Sequence, residues 1–106
     1  MKLWVDDIRP APDGYIHAKS VVEAKSKIIQ SEALYKTGKN PEAQIELIDI
    51  DHDSGDYFQL GGDYIELLNW LEETRRDYPI RIHSMNPVGI ENMRRIIQRN
   101  GWREIK

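Results

Sequence analysis

Short apolar runs alternate with longer amphipathic ones along this chain, and that alternation limits its possible folds more than any other feature. "KLWV" (2–5), "IELIDI" (45–50) and "IRIH" (80–83) have the length and composition of buried strands. "YIHA" (15–18) reads as a shorter second strand and "WREI" (102–105) as a last one. Ser20, with Glu23 three residues later, forms a capping box ahead of a helix from Val21 to about Tyr35. That helix carries Val21, Ala24, Ile28 and Leu34 at helical spacing, and "TGKNPE" (37–42) ends it. "DYIELLNWLEETRRDY" (63–78) predicts a second helix with Ile65, Leu68 and Leu71 on one face. Its acids come early and its arginines late, which suits the helix dipole, and Pro79 stops it. Asn86 caps a third helix with Pro87 in its first position. It runs to about Asn100 with Ile90, Met93 and Ile97 inward, and Gly101 ends it.

Strands alternating with helices give βα units and right-handed crossovers. The predicted fold is therefore a three-layer α/β domain with a mainly parallel, five-stranded sheet. The first connection is irregular. "RPAPDG" (9–14) is a turn too short to hold a helix.

The 106 residues fit one domain, 1–106, long enough to bury a core without disulfides or a structural metal. The absence of cysteine excludes thiolate zinc sites and cysteine nucleophiles. Fifteen basic against eighteen acidic residues, a net charge of −3, argue against an extended nucleic-acid surface but not against a single nucleotide or cyclic phosphate. "MKLWVDD" lacks the apolar length of a signal peptide, and no window approaches a membrane span. A cytoplasmic domain is expected. Nothing in the sequence sets its oligomeric state.

The chemistry collects where the strands end. Asp6, Asp7 and Arg9 follow the first; Asp51, His52 and Asp53 follow the third; His83, Ser84 and Asn86 follow the fourth. In an open parallel sheet these points share the carboxyl edge, where ligands bind. Asp6, Asp7 and Asp51 together would repel unless a hard cation such as Mg²⁺ or Mn²⁺ lay between them. His52 and His83 have the placement of a general acid and base around phosphorus. They could equally join Asp51 or Asp53 as N/O ligands of Mn, Fe or Zn. Asp53 is placed to orient an imidazole. Arg9, Ser84 and Asn86 are placed to hold phosphate oxygens, the last two at a helix head. Gly61-Gly62 offers a second such end. The loop "DHDSGDYFQLGG" (51–62) is long for so small a domain, as functional loops often are. Asp49, in mid-strand, needs a partner, for which Arg81 is the candidate. His17 reads as structural, and Trp4, Trp70 and Trp102 as core.

"LWVDDIRP", "IDIDHD" and "IHSMNPVGIENM" resemble the cyclic-phosphate processing receiver-like domains, a branch of the receiver superfamily, and the likeness covers nearly the whole chain. The resemblance implies a flavodoxin-like fold with strand order 2-1-3-4-5. It matches Asp6 and Asp7 to the acidic pair of receivers, Asp51 to the phospho-acceptor, and Ser84 to the hydroxyl residue after the fourth strand. It implies action on cyclic phosphates of nucleotides or RNA-derived products. Relative to ordinary receivers the pattern is truncated. The first helix is replaced by a turn, and the last helix and the Lys-Pro pair after the fifth strand are missing, with Lys106 only a loose substitute for that lysine.

Two functions follow as expectations. One is a phosphodiesterase-type hydrolase that opens a cyclic phosphate with a divalent metal ion. Asp6, Asp7 and Asp51 would hold the cation, His52 and His83 would move protons, and Arg9, Ser84 and Asn86 would steady the substrate. The alternative is a non-enzymatic receiver-like module that binds metal and phosphate or is phosphorylated on Asp51.

Overall fold

The computed structural model describes residues 1–106. Four parallel strands, β1 (Lys2–Val5), β2 (Tyr15–Ala18), β3 (Leu47–Ile50) and β4 (Ile80–Ile82), lie in the order β2-β1-β3-β4. The helices are α1 (Val21–Lys36), α2 (Ile65–Glu73) and α3 (Pro87–Asn100). The sheet has four strands rather than the expected five. Residues 102–105 reach β4 through a single parallel bridge, Ile80 to Glu104. No helix is long and apolar enough to cross a membrane.

Register explains the core. Trp4 pairs with His17 and with Asp49, and Asp49 pairs with Arg81. Paired residues share a face, so Trp4, His17, Asp49 and Arg81 stand on one side of the sheet. Leu3, Val5, Ala18, Ile48, Ile50 and Ile80 stand on the other and are all buried in the hydrophobic core. Every helix contributes to that core: Val21, Ala24 and Ile28 from α1, Leu67, Leu68 and Leu71 from α2, Met93, Ile96 and Ile97 from α3. The helices thus cover one face only, and the expected three layers are two.

Right-handed crossovers account for this. The chain steps one way from β1 to β2 and the other way from β2 to β3 and on to β4. The two directions place their connections on opposite faces. The only connection due on the second face is the one without a helix, residues 6–14. That loop does lie there, since the Trp4 indole N–H donates to Arg9 O at 3.0 Å.

The helix ends follow their caps. Ser20 Oγ accepts from Glu23 N at 3.0 Å, while Glu23 Oε1 accepts from Lys19 N at 2.7 Å, a capping box reaching one residue further back than usual. Asn86 Oδ1 accepts from Gly89 N at 3.0 Å ahead of Pro87. In α1 the buried stripe runs Val21, Ala24, Ile28, Ser31, and Leu34 falls outside it, 41% exposed. In α3 the inward set is Gly89, Met93, Ile96 and Ile97, with Ile90 half-buried.

Helix α2 is shorter than predicted. It starts at Ile65 and ends at Glu73, so Pro79 does not stop it. Arg76 N–H reaches Leu71 O at 2.8 Å and Arg75 N–H reaches Glu72 O at 3.1 Å, a Schellman closure. The left-handed position of that closure usually holds glycine. Here it holds Arg75, with φ +57°. Replacing Arg75, an exposed residue, by glycine relieves the strain of a side chain in that region. Arg75→Gly is expected to raise stability by about 0.5–1 kcal/mol, read as a higher urea midpoint; an unchanged or lower midpoint contradicts it.

Candidate functional site

Asp6, where β1 ends, is the anchor. It is 1% exposed, and each of its oxygens is engaged. Oδ1 accepts the N–H groups of Ile8 (2.8 Å) and Arg9 (2.9 Å), which folds the start of the loop into a tight turn. Oδ2 faces His83 Nε2 at 2.8 Å. The other nitrogen of that ring, Nδ1, faces Asp49 Oδ1 at 2.6 Å. Tyr15 donates its hydroxyl to Asp49 Oδ2 at 3.3 Å.

A neutral imidazole has one N–H, yet both nitrogens of His83 face carboxylate oxygens. The geometry calls for the doubly protonated ring, donating on both sides. Trp4 supports the charge, its ring stacked on His83 with centroids 3.8 Å apart and planes 2° apart. The row Asp6–His83–Asp49–Tyr15 therefore ties together the four strands. His17 joins it from beneath, donating Nε2–H to Asp6 O at 2.7 Å.

This corrects the sequence reading of Asp49. Its partners are His83 and Tyr15, and Arg81, which shares its face, is exposed. Trp4 is buried on the second face rather than in the helix-covered core; Trp102 belongs to that core, and Trp70 lies at its margin under the Arg76 guanidinium. Asp49, Trp4 and Tyr15 were not singled out as site residues. Period-two alternation within "IDID" puts Asp49 on the face of Asp51, but no local pattern gives the cross-strand pairing.

Asp7 and Asp51 are half-buried and Asp56 is exposed. Gly55, at φ +54°, brings the 51–62 loop against Asp7 so closely that a Cβ there would overlap the Asp7 carboxylate. Burial pushes the Asp7 carboxyl above its usual range, and the negative charges of Asp6, Asp51 and Asp56 push it further. For Asp6, burial also acts upward, but the N–H groups of Ile8 and Arg9 and the His83 ring outweigh it and hold the carboxyl below its usual range. Beneath the loop, Tyr64 is fully buried and donates to Lys19 O at 2.7 Å. Burial and the acids around it drive its hydroxyl far up, so it stays neutral.

His52 follows Asp51 and is set differently from His83. Its Nδ1 donates to Asp53 Oδ1 at 2.8 Å. Its Nε2 makes no hydrogen bond within the chain. The ring lies on Gly89 in the first turn of α3, where a Cβ would come within 2.5 Å of it. Asn86 Nδ2 lies 3.5 Å from Asp53 Oδ1, at the limit of a hydrogen bond, while its Oδ1 caps α3. Ser84 Oγ accepts from Asn86 N at 3.1 Å. Arg9 donates Nη1–H to His83 O at 2.7 Å, which ties the first loop to the fourth-strand loop and leaves its other donors free. Gly61 packs on Val21, and α2 begins only at Ile65, so Gly61-Gly62 forms no helix head.

The carboxyl edge thus brings together all nine residues expected there, in two groups. Asp6 and His83 belong to an internally bonded row. Asp51 lies beside that row and accepts His52 N–H at 2.7 Å, Asp7 is half-buried, and the His52–Asp53 pair sits by Asn86 and Ser84. Asp51 and Asp56 put like charge beside Asp7, but Asp7 is not part of the group whose donor atoms lie close enough to share one ion. Donor atoms of Asp6, Asp51 and His83 do lie within 4.8 Å of one another. A cation using all three would have to break the Asp6–His83 bond. The largest cavity, about 510 Å³, lies elsewhere, beside Glu32, Tyr35 and Tyr78.

Two consequences are measurable. His83→Ala leaves two buried carboxylates without their cation and is expected to cost about 3–5 kcal/mol in chemical denaturation; a loss under 1 kcal/mol contradicts the clamped imidazolium. Asp7 has a raised folded pKa, so its ionised form opposes folding at neutral pH and the penalty fades as pH falls through that pKa. Asp7→Asn is therefore expected to melt higher than the parent at pH 7 without metal, with the gap closing in acid. A lower melting temperature at pH 7 contradicts this.

The sequence model of the cyclic-phosphate processing receiver domain matches residues 1–99. No curated protein and no solved structure matches the chain.

Proposed function

We propose, from the premise that this chain belongs to the cyclic-phosphate processing receiver domain family, that its acidic rim hydrolyses a cyclic phosphate ester with the help of a divalent cation. The observation that carries the reading is His52. Its Nδ1–H is fixed by Asp53, its ring is seated on Gly89, and its Nε2 is free, one residue from Asp51. An aspartate that fixes the N–H on one ring nitrogen leaves the lone pair of the other unbonded, which is what a proton acceptor requires.

The remaining roles follow from what each group has left to give. Asp7 and Asp51 would hold the cation, Mg²⁺ or Mn²⁺ by their oxygen chemistry. Bound there, it would offset negative charge on the phosphoryl oxygens. Asp6 belongs to the same acidic set but serves it by position, because its oxygens are bonded to Ile8, Arg9 and His83. His83 has no nitrogen free for a proton in transit. It supplies fixed positive charge and holds Asp6. Arg9 keeps guanidinium donors for a phosphate, and Ser84 and Asn86 stand at the head of α3. His52 Nε2 takes a proton from water as the water oxygen bonds to phosphorus. One ring P–O bond breaks, the departing oxygen takes a proton from solvent, and a phosphomonoester results.

A panel of 2′,3′-cyclic nucleotides with Mg²⁺ or Mn²⁺ tests this. Monoester should form, and His52→Ala should lower kcat by about 10²-fold or more while keeping the parent's melting temperature. Absence of turnover with every pair overturns the reading. Stoichiometric labelling by a small phosphodonor that is lost in Asp51→Asn, without hydrolysis, would establish the receiver-like module instead.

A further inference from the structure

The largest cavity of the molecule, about 510 Å³, opens at the amino edge of the sheet, opposite the acidic rim. Its walls come from three places: Glu32 and Tyr35 in the last turns of α1, residues 43–46 leading into β3, and residues 77–79 leading into β4. β3 and β4 are paired, so the two approaches run side by side. A second hollow, about 430 Å³, adjoins it and shares Glu32, Tyr35 and Tyr78. These volumes are in the range of small-molecule sites.

The charge on these walls has one sign. Glu32, Glu46 and Asp77 line the larger cavity, and no lysine, arginine or histidine does. Walls of one sign focus the potential inside a cleft. The bases nearby are placed or engaged elsewhere. Arg76, in the adjoining hollow, donates Nε–H and Nη2–H to Glu32 at 2.9 and 2.8 Å and lies 4.4 Å from the centre of the Trp70 ring. Those bonds hold the Glu32 carboxyl below its usual range. Lys36 lines only the adjoining hollow, and the amino-terminal ammonium donates to Glu42 O and Gln44 O and lines a different cavity. Glu46 and Asp77 join none of the ion pairs of the chain.

The occupant follows by elimination. An anion finds no base in the cavity. A metal ion finds no cage, because these three acids belong to neither group whose donor atoms lie close enough to share one ion. Their charge is spread along walls that are otherwise apolar or aromatic: Ile45, Pro79 and two tyrosine rings. Tyr78 is fixed by the bond from its hydroxyl to Glu32, and burial keeps that hydroxyl neutral. Tyr35 is 45% exposed and keeps ring surface free. Separated carboxylates on an aromatic wall suit ammonium groups spaced along a methylene stem, with the stem on the rings and the charges on the acids and the ring faces. We propose that this cavity binds an aliphatic polyamine. The inference is independent of any chemistry at the carboxyl edge.

The test is calorimetric titration of the whole chain with spermidine and with n-butylamine, in excess Mg²⁺ so that any acids that take a metal are already occupied. Spermidine should bind once per chain, more tightly than the monoamine, and should shift the ring resonances of Tyr35 and Tyr78. Glu46→Gln and Asp77→Asn should each weaken it about two- to fivefold, and Tyr35→Ala by a similar factor. All three change exposed side chains, and melting curves check that each variant is folded. Glu91→Gln, which removes an exposed carboxylate outside the cavity, should leave the affinity unchanged. Absence of spermidine binding in Mg²⁺ overturns the proposal. So does binding no tighter than that of n-butylamine, or binding that Glu91→Gln weakens as much as the cavity variants do.

Discussion

The imidazolium of His83, held between Asp6 and Asp49, is the contact on which the rest of this architecture depends. Its two ion-paired hydrogen bonds, 2.8 and 2.6 Å, join residues from β1, β3 and the end of β4. Tyr15 extends the row to β2. A parallel sheet normally has apolar helices on both faces. Here the second face has only a nine-residue connection, from Asp6 to Gly14, over it. A bonded polar row with an indole stacked on it fills the space that a helix would otherwise seal. Buried charges are tolerable only when paired and fully bonded, and each side-chain polar atom buried here has a partner.

That solution also sets what Asp6 can do. In the sequence Asp6 and Asp7 are equivalent, two acids in a row after an apolar strand. In the fold they separate completely. Asp6 points under the sheet edge to N–H donors and an imidazolium, which hold its carboxyl low; Asp7 points to other acids, which with burial hold its carboxyl high. The first is a structural keystone and the second an uncompensated charge. An uncompensated charge at a sheet edge is a cost to folding that a bound cation can offset, and that is the physical content of calling Asp7 a candidate ligand.

What was legible in the sequence was whatever depends on neighbours in the chain. The first four strands, the Ser20 and Asn86 caps and the gathering of acids and histidines at the carboxyl edge all come from local pattern and are present, while the expected fifth strand is reduced to a single bridge. The losses come from long-range terms. Leu34 was placed inward by spacing, but the buried stripe of α1 turns to Ser31. The second helix was extended to Pro79 because nothing before it looks like a stop; the stop is a left-handed arginine, Arg75, in a place where glycine would have been visible. The third layer was inferred from fold class, although the shortness of "RPAPDG" already showed that no helix could cover the second face. Asp49 could not be paired by reading, because Arg81 and His83 lie on the same face and the register sets Asp49 beside Arg81, while its carboxylate bonds the His83 ring at the end of β4.

The two histidines show why placement alone does not assign a role. Both follow strands, both lie at the same edge, and each contacts an aspartate through Nδ1. The difference lies at the second nitrogen. For His83 it meets a second carboxylate, so neither ring nitrogen is free for a substrate. For His52 it meets no group of the chain, because Gly89 admits the ring against α3 and Asp53, exposed at the loop, engages only the near side. A group that exchanges protons must have a free face and a fold that survives its change of charge. His52 has that free face, and His83 does not. The fold thus spends one imidazole on holding the acids in place and leaves the other available, and any chemistry at this rim must be built on that division.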